Sequence, residues 1–274
     1  CMISYDFWWS VGRHRAFPVG ACGSSLIRSL QEVALALKIL VCQHEAVEPP
    51  GTFADFWAKD GHDWTCVHLY DGKPIPPLDG FDLLVVLGGP MDVWQTDVHP
   101  WLEAEVEAIR HWVADLGRPY LGICLGHQLL AIALGGRVGQ MADGELGLCE
   151  AHVTPAGLAD GVFGGATHLP VFHWHHAEVT APPTGAEILA ESAACAVQAM
   201  RIGAAYSVQF HAEVAEHTLS QWCTLEECVE ALEEAFGPDG VAKTDARLVP
   251  VLPQIRATAH AINDRMMALC VARA

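Results

Sequence analysis

The segment YLGICLGHQ, residues 120–128, places an apolar strand, a glycine-flanked turn and a helix start in direct succession. A strand that runs straight into a helix is the building unit of an α/β fold, and a residue at the turn projects from the sheet edge. That residue is Cys124, and the unpaired N–H groups and positive dipole of the helix start favour a reactive thiolate there. The alternative is that Cys124 is a buried core cysteine, but the flanking Gly122 and Gly126 argue against that interpretation.

A second candidate strand, YSVQFHAE at residues 206–213, ends in a histidine with a carboxylate two positions further on. A thiol nucleophile needs a base, so His211 would take and return the proton while Glu213 fixes its tautomer. The carboxyl ends of parallel strands share one edge of a sheet, which allows Cys124 and His211 to meet. In a chain with 15 histidines, a chance histidine at a strand end is the competing interpretation.

The third motif, LLVVLGGPMD at residues 83–92, is an apolar run of strand length that breaks at two glycines and a proline. Its apolar part predicts a buried parallel strand. A backbone without side chains can approach a substrate closely, and an N–H group there could stabilise a developing alkoxide. Taken alone, the motif predicts an ordinary turn, and only its combination with the other two motifs favours a site.

Together and in this order, the three motifs resemble those of the class I glutamine amidotransferases. The similarity covers roughly residues 38–222 and is nearest to stand-alone members related to the glutaminase domain of GMP synthetase. It implies an α/β fold with a single doubly wound, mostly parallel sheet flanked by helices, of the flavodoxin-like kind. It also implies a triad of Cys124, His211 and Glu213 that hydrolyses glutamine through a thioester.

The resemblance extends to residues around the triad. It implies an oxyanion hole formed by the backbone N–H groups of Gly89 and Leu125, and contacts from Gln128 to the γ-glutamyl portion of the substrate. The chain departs from the family pattern at Ala212, where the family usually has proline. Because proline restricts φ, its loss is expected to loosen the geometry between His211 and Glu213 without removing either group.

The run HWHHAE at residues 173–178 admits a metal site, because His173 and His175 would share a strand face and Glu178 could add an oxygen ligand. The resemblance favours a loop lining the glutamine pocket, with His176 binding substrate. We therefore expect no metal and no cofactor. His127, beside the nucleophile, is expected on the helix surface with its side chain directed away from residue 124.

Composition limits the possible partners, the redox state of the cysteines and the domain organisation. The 274 residues carry a net charge of −18, which argues against nucleic acid or an anionic membrane as partner. The ten cysteines form no Cys-x-x-Cys pair and lie in scattered apolar contexts, so reduced thiols in a cytoplasm are expected. We expect residues 1–37 to be an accessory or non-native extension without catalytic residues, and residues 38–274 to form the amidotransferase-like domain with C-terminal helices.

Hydrophobic periodicity predicts the principal elements of that domain. The predicted strands cover 38–42, 64–69, 83–87, 169–173 and 196–202. The predicted helices cover 53–59 with Thr52 as its cap, 100–116, 214–236 and 254–271.

Three functions remain open at this point. The leading one is hydrolysis of glutamine with transfer of ammonia to a synthetase on a separate chain, since no P-loop or other nucleotide-binding glycine motif is present. The second is a stand-alone peptidase that cleaves another γ-glutamyl compound without a partner. The third is a catalytically inactive binding or regulatory protein, which the intact Cys, His and Glu disfavour.

Overall fold

Apolar runs of strand length assemble into one nine-stranded sheet in the computed structural model, which describes residues 36–273. The strands are β1 (Lys38–Gln43), β2 (Asp63–His68), β3 (Leu83–Val86), β4 (Tyr120–Ile123), β5 (Arg137–Val153), β6 (His168–Ala181), β7 (Glu187–Glu191), β8 (Ala199–Ile202) and β9 (Ala205–Val208). Their spatial order is β2-β1-β3-β4-β9-β8-β7-β5-β6.

The sheet is parallel from β2 to β9 and antiparallel beyond β9. The central strands β3, β4 and β9 are buried along their whole length, as expected for parallel strands covered on both faces. The predicted fold class, one sheet flanked by helices, is confirmed. The antiparallel extension makes the sheet a mixed one.

Eight α-helices are described. They are α1 (Thr52–Asp60), α2 (Trp101–Arg110), α3 (Leu125–Ala133), α4 (Pro155–Asp160), α5 (Thr218–Trp222), α6 (Glu226–Phe236), α7 (Gly240–Leu248) and α8 (Leu252–Val271). Short 3-10 turns lie at Leu69–Asp71, Leu78–Gly80 and Val249–Val251, and a π-helical turn at His111–Asp115 extends α2. Among the described residues, no helix has the combined length and apolar character needed to cross a bilayer.

Side chains on the central strands alternate between two hydrophobic cores. Ile39 and Val41 of β1 face the core that contains residues of α1 and α8, whereas Leu40 and Cys42 face the core of α2 and α3. A third cluster joins the C-terminal helices α5 to α7 to Phe172 of β6. Through this third cluster, residues late in the sequence lie near the carboxyl ends of the parallel strands.

Several element boundaries differ from the predicted ones. Thr52 is the first residue of α1, and its cap is Gly51, with φ of 51° and no side-chain hydrogen bond. The predicted helix 214–236 is two helices, α5 and α6, because the chain turns between them. Strand β5 and helix α7 were not predicted. The proposed extension 1–37 stays a prediction, since residues 1–35 lie outside the described part of the chain.

Candidate active site

Cys124 occupies the turn between β4 and α3 with φ of 50° and ψ of −101°. Non-glycine residues rarely adopt positive φ, and such strain persists where surrounding structure enforces it. Here the Cys124 N–H donates to the Val208 carbonyl at 2.9 Å. Gly126 is required at the turn, because a Cβ there would lie 2.1 Å from the carbonyl oxygen of Val86. The turn therefore presents the thiol at the end of the central parallel strands.

His211 and Glu213 form a buried pair in which Nδ1 lies 2.6 Å from Oε1. Burial alone lowers the pKa of His211, but Glu213 and the nearby Cys124 outweigh it and raise that pKa well above its ordinary value. The site thus favours an imidazolium between the thiol and the carboxylate. The structure brings together the three residues predicted as a triad.

The backbone of Glu213 packs against the start of α1. Ala212 is buried in the core, and the Glu213 carbonyl accepts the N–H of Thr52 at 2.9 Å. A Cβ on Gly51 would lie 2.1 Å from that same carbonyl oxygen, so the start of α1 packs directly on the Glu213 backbone. The His211–Glu213 geometry is held by this contact from another element.

A turn formed by Gly88 and Gly89 follows β3 and faces Cys124. A Cβ on Gly89 would lie 2.7 Å from Cβ of His44, and the Gly88 carbonyl accepts a hydrogen bond from His44 Nδ1 at 2.8 Å. Leu125 is the first residue of α3, so its N–H has no partner within the helix. The predicted oxyanion groups of Gly89 and Leu125 therefore border the same cleft.

His44 and Glu105 were not predicted as site residues. His44 Nε2 lies 3.1 Å from Glu105 Oε1, and neither side chain is exposed by more than 1 %. The sequence held one signal for this pair. Glu105 lies on the face of α2 that Leu102 and Ile109 share, where a charged residue needs a buried partner.

The cleft has a cavity volume of about 160 Å³. Of the predicted site residues, those on its wall are Cys124, His211, Gly89, Leu125, Gln128 and His176. Glu178 does not border it. The predicted motifs therefore converge on one cleft.

Gln128 and His176 differ in their surroundings. The Gln128 amide is buried and donates to the Ala177 carbonyl at 3.1 Å and to Gln209 Oε1 at 3.2 Å. His176 is largely exposed at the cleft and pairs with Asp92 through a contact of 3.0 Å. Gln128 thus forms part of the buried wall, while His176, paired with Asp92, lies at the exposed margin of the cleft.

The expectation for His127 was wrong in one respect. The side chain is fully buried rather than on the surface, with Nδ1 2.9 Å from the Ser207 hydroxyl. Burial lowers the pKa of His127 to about 3, so the ring is neutral at ordinary pH. It is no candidate for the base, as expected.

The metal site considered from the sequence, His173 and His175 with Glu178, differs from the cluster that the structure forms. Glu145, and not Glu178, joins His173 and His175, and their donor atoms lie within 4.8 Å of one another in a buried cluster. Such a set can hold a divalent cation. However, Glu145 already accepts hydrogen bonds from Ser192 and Gln198 at 2.9 Å and 2.6 Å, as a structural polar network requires.

Two tryptophans form an aromatic wall that the motifs did not indicate. The Trp222 ring of α5 contacts the His211 ring edge-to-face at a centroid distance of 4.8 Å, and it contacts Trp174 of β6 at 5.6 Å. No motif near Trp222 in the sequence indicated a role at the site. Trp222 reaches the cleft through the tertiary packing of the third hydrophobic cluster.

Comparison with known proteins agrees with this architecture. The model of the class I glutamine amidotransferase family matches residues 22–227. The glutamine amidotransferase-like protein YfeJ of Salmonella typhimurium is 34% identical over 176 residues, which is 62% of this chain and 73% of YfeJ. One subunit of the glutamine-hydrolysing GMP synthase of Saccharolobus solfataricus is 36% identical over 151 residues, covering 53% of this chain and 74% of that protein.

Among solved structures, a glutamine amidotransferase of Thermotoga maritima superposes with a TM-score of 0.76 and 25% identity, covering 85% of this chain and 98% of the other. The fold, the arrangement of the motifs and the family match define the class of protein. The chain belongs to the class I glutamine amidotransferase family. Within that family it resembles the Saccharolobus solfataricus GMP synthase subunit.

Proposed function

We propose that the chain hydrolyses the side-chain amide of glutamine through a thioester on Cys124 and delivers the ammonia to a separate synthetase. The observation that carries this proposal is the buried His211–Glu213 pair, with its 2.6 Å contact, whose histidine borders the same cleft as a cysteine held at positive φ. That arrangement places a nucleophile and a base on one cleft, with an orienting group bonded to the base.

The chemistry proceeds in two halves. The Cys124 thiolate attacks the amide carbon, the C–N bond breaks, and His211 gives its proton to the leaving nitrogen, so that ammonia departs and a thioester remains. Water then attacks the thioester, His211 takes the water proton, and the C–S bond breaks to give glutamate and the thiolate. The N–H groups of Gly89 and Leu125 stabilise the oxyanion in each half. Gln128 and His176 hold the γ-glutamyl portion.

The partner is inferred from the relatives. The Saccharolobus solfataricus protein is named as one subunit of a glutamine-hydrolysing GMP synthase. That name supports an ammonia acceptor on another subunit.

A γ-glutamyl peptidase that acts alone is the second candidate. The Trp222 ring lies against His211, which protonates the leaving nitrogen, so it would contact a leaving group larger than ammonia. The third alternative, an inactive binding protein, is disfavoured because all three triad side chains are present and His211 is paired with Glu213.

The experiment is an assay of the purified chain against glutamine and a panel of γ-glutamyl amides, with Cys124→Ala as control. An amidotransferase that serves a synthetase should hydrolyse glutamine slowly and accelerate when that synthetase is added. A peptidase should cleave one panel compound unaided at a typical enzymatic rate, on the order of 1–1000 per second. If no γ-glutamyl compound is cleaved, with or without a synthetase, the proposal fails.

A further inference from the structure

Glu48 is an acidic residue of the cleft that the triad chemistry leaves unused. It lies in the loop between β1 and α1 and borders the cleft with Cys124 and His211. Its Oε2 atom is buried and has no hydrogen-bond partner among the described residues. A buried carboxylate oxygen without a donor is destabilising, so its presence in a cleft indicates a ligand that supplies the donor.

The position of Glu48 relative to His211 is well defined. A Cβ placed on Gly88 would lie 2.7 Å from Glu48 Oε2 and 2.9 Å from His211 Cε1, so both side chains approach the same point above this glycine. The loop that carries Glu48 ends at Thr52, whose N–H is bonded to the Glu213 carbonyl. The end of the loop that carries Glu48 is therefore bonded to the backbone of Glu213.

The charges around Glu48 suit a hydrogen-bond acceptor. Burial raises its pKa to about 7, with Glu213 and Glu45 adding to the rise while His211 and His44 oppose it. The side chain is thus ionised in a large fraction of molecules near neutral pH. An N–H or O–H group placed beside His211 would meet a carboxylate oxygen with an unused lone pair.

We propose that Glu48 Oε2 accepts a hydrogen bond from the leaving nitrogen of the γ-glutamyl amide and afterwards from the hydrolytic water. This rests on the proposed function. His211 must reach the leaving nitrogen to protonate it, and so that nitrogen lies on the side of the cleft where Glu48 meets His211. As the C–N bond breaks, the nitrogen receives the His211 proton while one of its N–H groups donates to Glu48. Water then places one O–H on His211 and the other on Glu48.

The proposal specifies the class of leaving group. An amide nitrogen carries a hydrogen that can be donated to Glu48, whereas the leaving oxygen of an ester carries none. Glu48 would therefore accelerate release of an amine and have little effect on release of an alcohol. This contrast separates contact with the leaving group from general support of His211 or of the fold.

The experiment uses the full chain and two matched substrates, the nitroanilide and the nitrophenyl ester of γ-glutamate, in single-turnover release of the chromophore. Glu48→Gln and Glu48→Ala should slow nitroaniline release by about tenfold or more, the effect of losing one hydrogen bond to a charged group. Nitrophenol release should change by less than about twofold on the same scale. Glu45→Gln, a charge-matched change on the same loop, should slow neither, because removing that charge only lowers the pKa of Glu48 and favours its ionised form.

Each other outcome contradicts the role of Glu48. Equal losses with both substrates would make Glu48 a support of the base or the fold, and unchanged nitroaniline release would leave it without a role in this step. If the wild-type chain releases neither chromophore and cleaves no γ-glutamyl compound, the proposed function fails, which is distinguishable from a failure of Glu48 alone.

Discussion

His44 and Glu105 form a buried pair directly beneath the turn that carries Gly89. His44 Nδ1 contacts the Gly88 carbonyl at 2.8 Å, and Nε2 contacts the Glu105 carboxylate at 3.1 Å. Both ring nitrogens thus face oxygen atoms, an arrangement that favours the imidazolium, in which both nitrogens donate. Burial lowers the pKa of His44, but Glu105 outweighs it and the net shift is upward. A charge pair within the core thus fixes the predicted oxyanion turn.

Glu105→Gln should lower the free energy of unfolding by about 3–5 kcal/mol, because removing one partner leaves the other charge buried and unpaired. It should also reduce turnover, since the Gly88 carbonyl loses a charged donor. Urea unfolding measures the first effect. Glu107→Gln is the control, because Glu107 pairs with Arg110 on the exposed face of α2 and its loss should change little. Equal effects of the two substitutions would contradict the importance of the buried pair.

The same pair predicts a pH dependence. A histidine whose pKa is raised on folding contributes stability that is complete below its unfolded pKa of about 6.5 and is lost as pH rises through the folded value. The difference in unfolding free energy between wild type and Glu105→Gln should therefore shrink as the pH rises above the pKa of the histidine in the unfolded chain. Urea unfolding at several pH values tests this, and a difference that grows with pH would contradict it.

The two ends of α1 offer a matched test of the contact between α1 and the Glu213 backbone. Gly51→Ala places a Cβ against the Glu213 carbonyl at 2.1 Å, so the Glu213 backbone must shift and activity should fall. Gly61→Ala, at φ of 76° with open space around it, carries only the left-handed backbone penalty of about 1–2 kcal/mol. Its turnover should match wild type. Comparable activity in the two variants would show that the contact does not position Glu213.

The base and its orienting group should differ in their effects. His211→Ala should lower turnover by on the order of a thousandfold or more, nearly as much as loss of the thiol, because residues of a triad act as a unit. Glu213→Ala should have a smaller effect, since packing keeps part of the orientation. Ala212→Pro should retain activity. Steady-state kinetics with glutamine measures all three, and full activity in His211→Ala would move the base to His175 or His176.

The sequence predicted those parts of the site whose signal is local. Cys124, His211 and the two-glycine turn each follow a short apolar strand, and such a pattern needs no knowledge of the rest of the chain. His44, Glu48 and Trp222 were missed because tertiary packing brings them to the cleft.

The elements that the sequence did not predict were missed for the same reason. Strand β5 is largely half-exposed and has polar residues along its length, so its pairing with β6 is visible only in three dimensions. His127 was expected on a surface because helices usually have one. Helix α3 is instead enclosed by α2 and by β3, β5, β6 and β9, and nearly all of its residues are buried.

The selectivity of Cys124 can be judged against the other cysteines. Burial raises the pKa of the seven other described thiols, which keeps them protonated and unreactive at neutral pH. These are Cys42, Cys66, Cys149, Cys195, Cys223, Cys228 and Cys270. Cys124 alone among the described cysteines combines the cleft with contact to His211.

The most direct test of the central claim is peptide mapping by mass spectrometry after the purified chain reacts with a glutamine analogue that carries an electrophile in place of the amide. One adduct per chain should form on Cys124, it should be absent from Cys124→Ala, and Cys124→Ala should lower glutamine turnover by on the order of a thousandfold or more. Stoichiometric labelling of another residue, with Cys124 unmodified, would contradict the account.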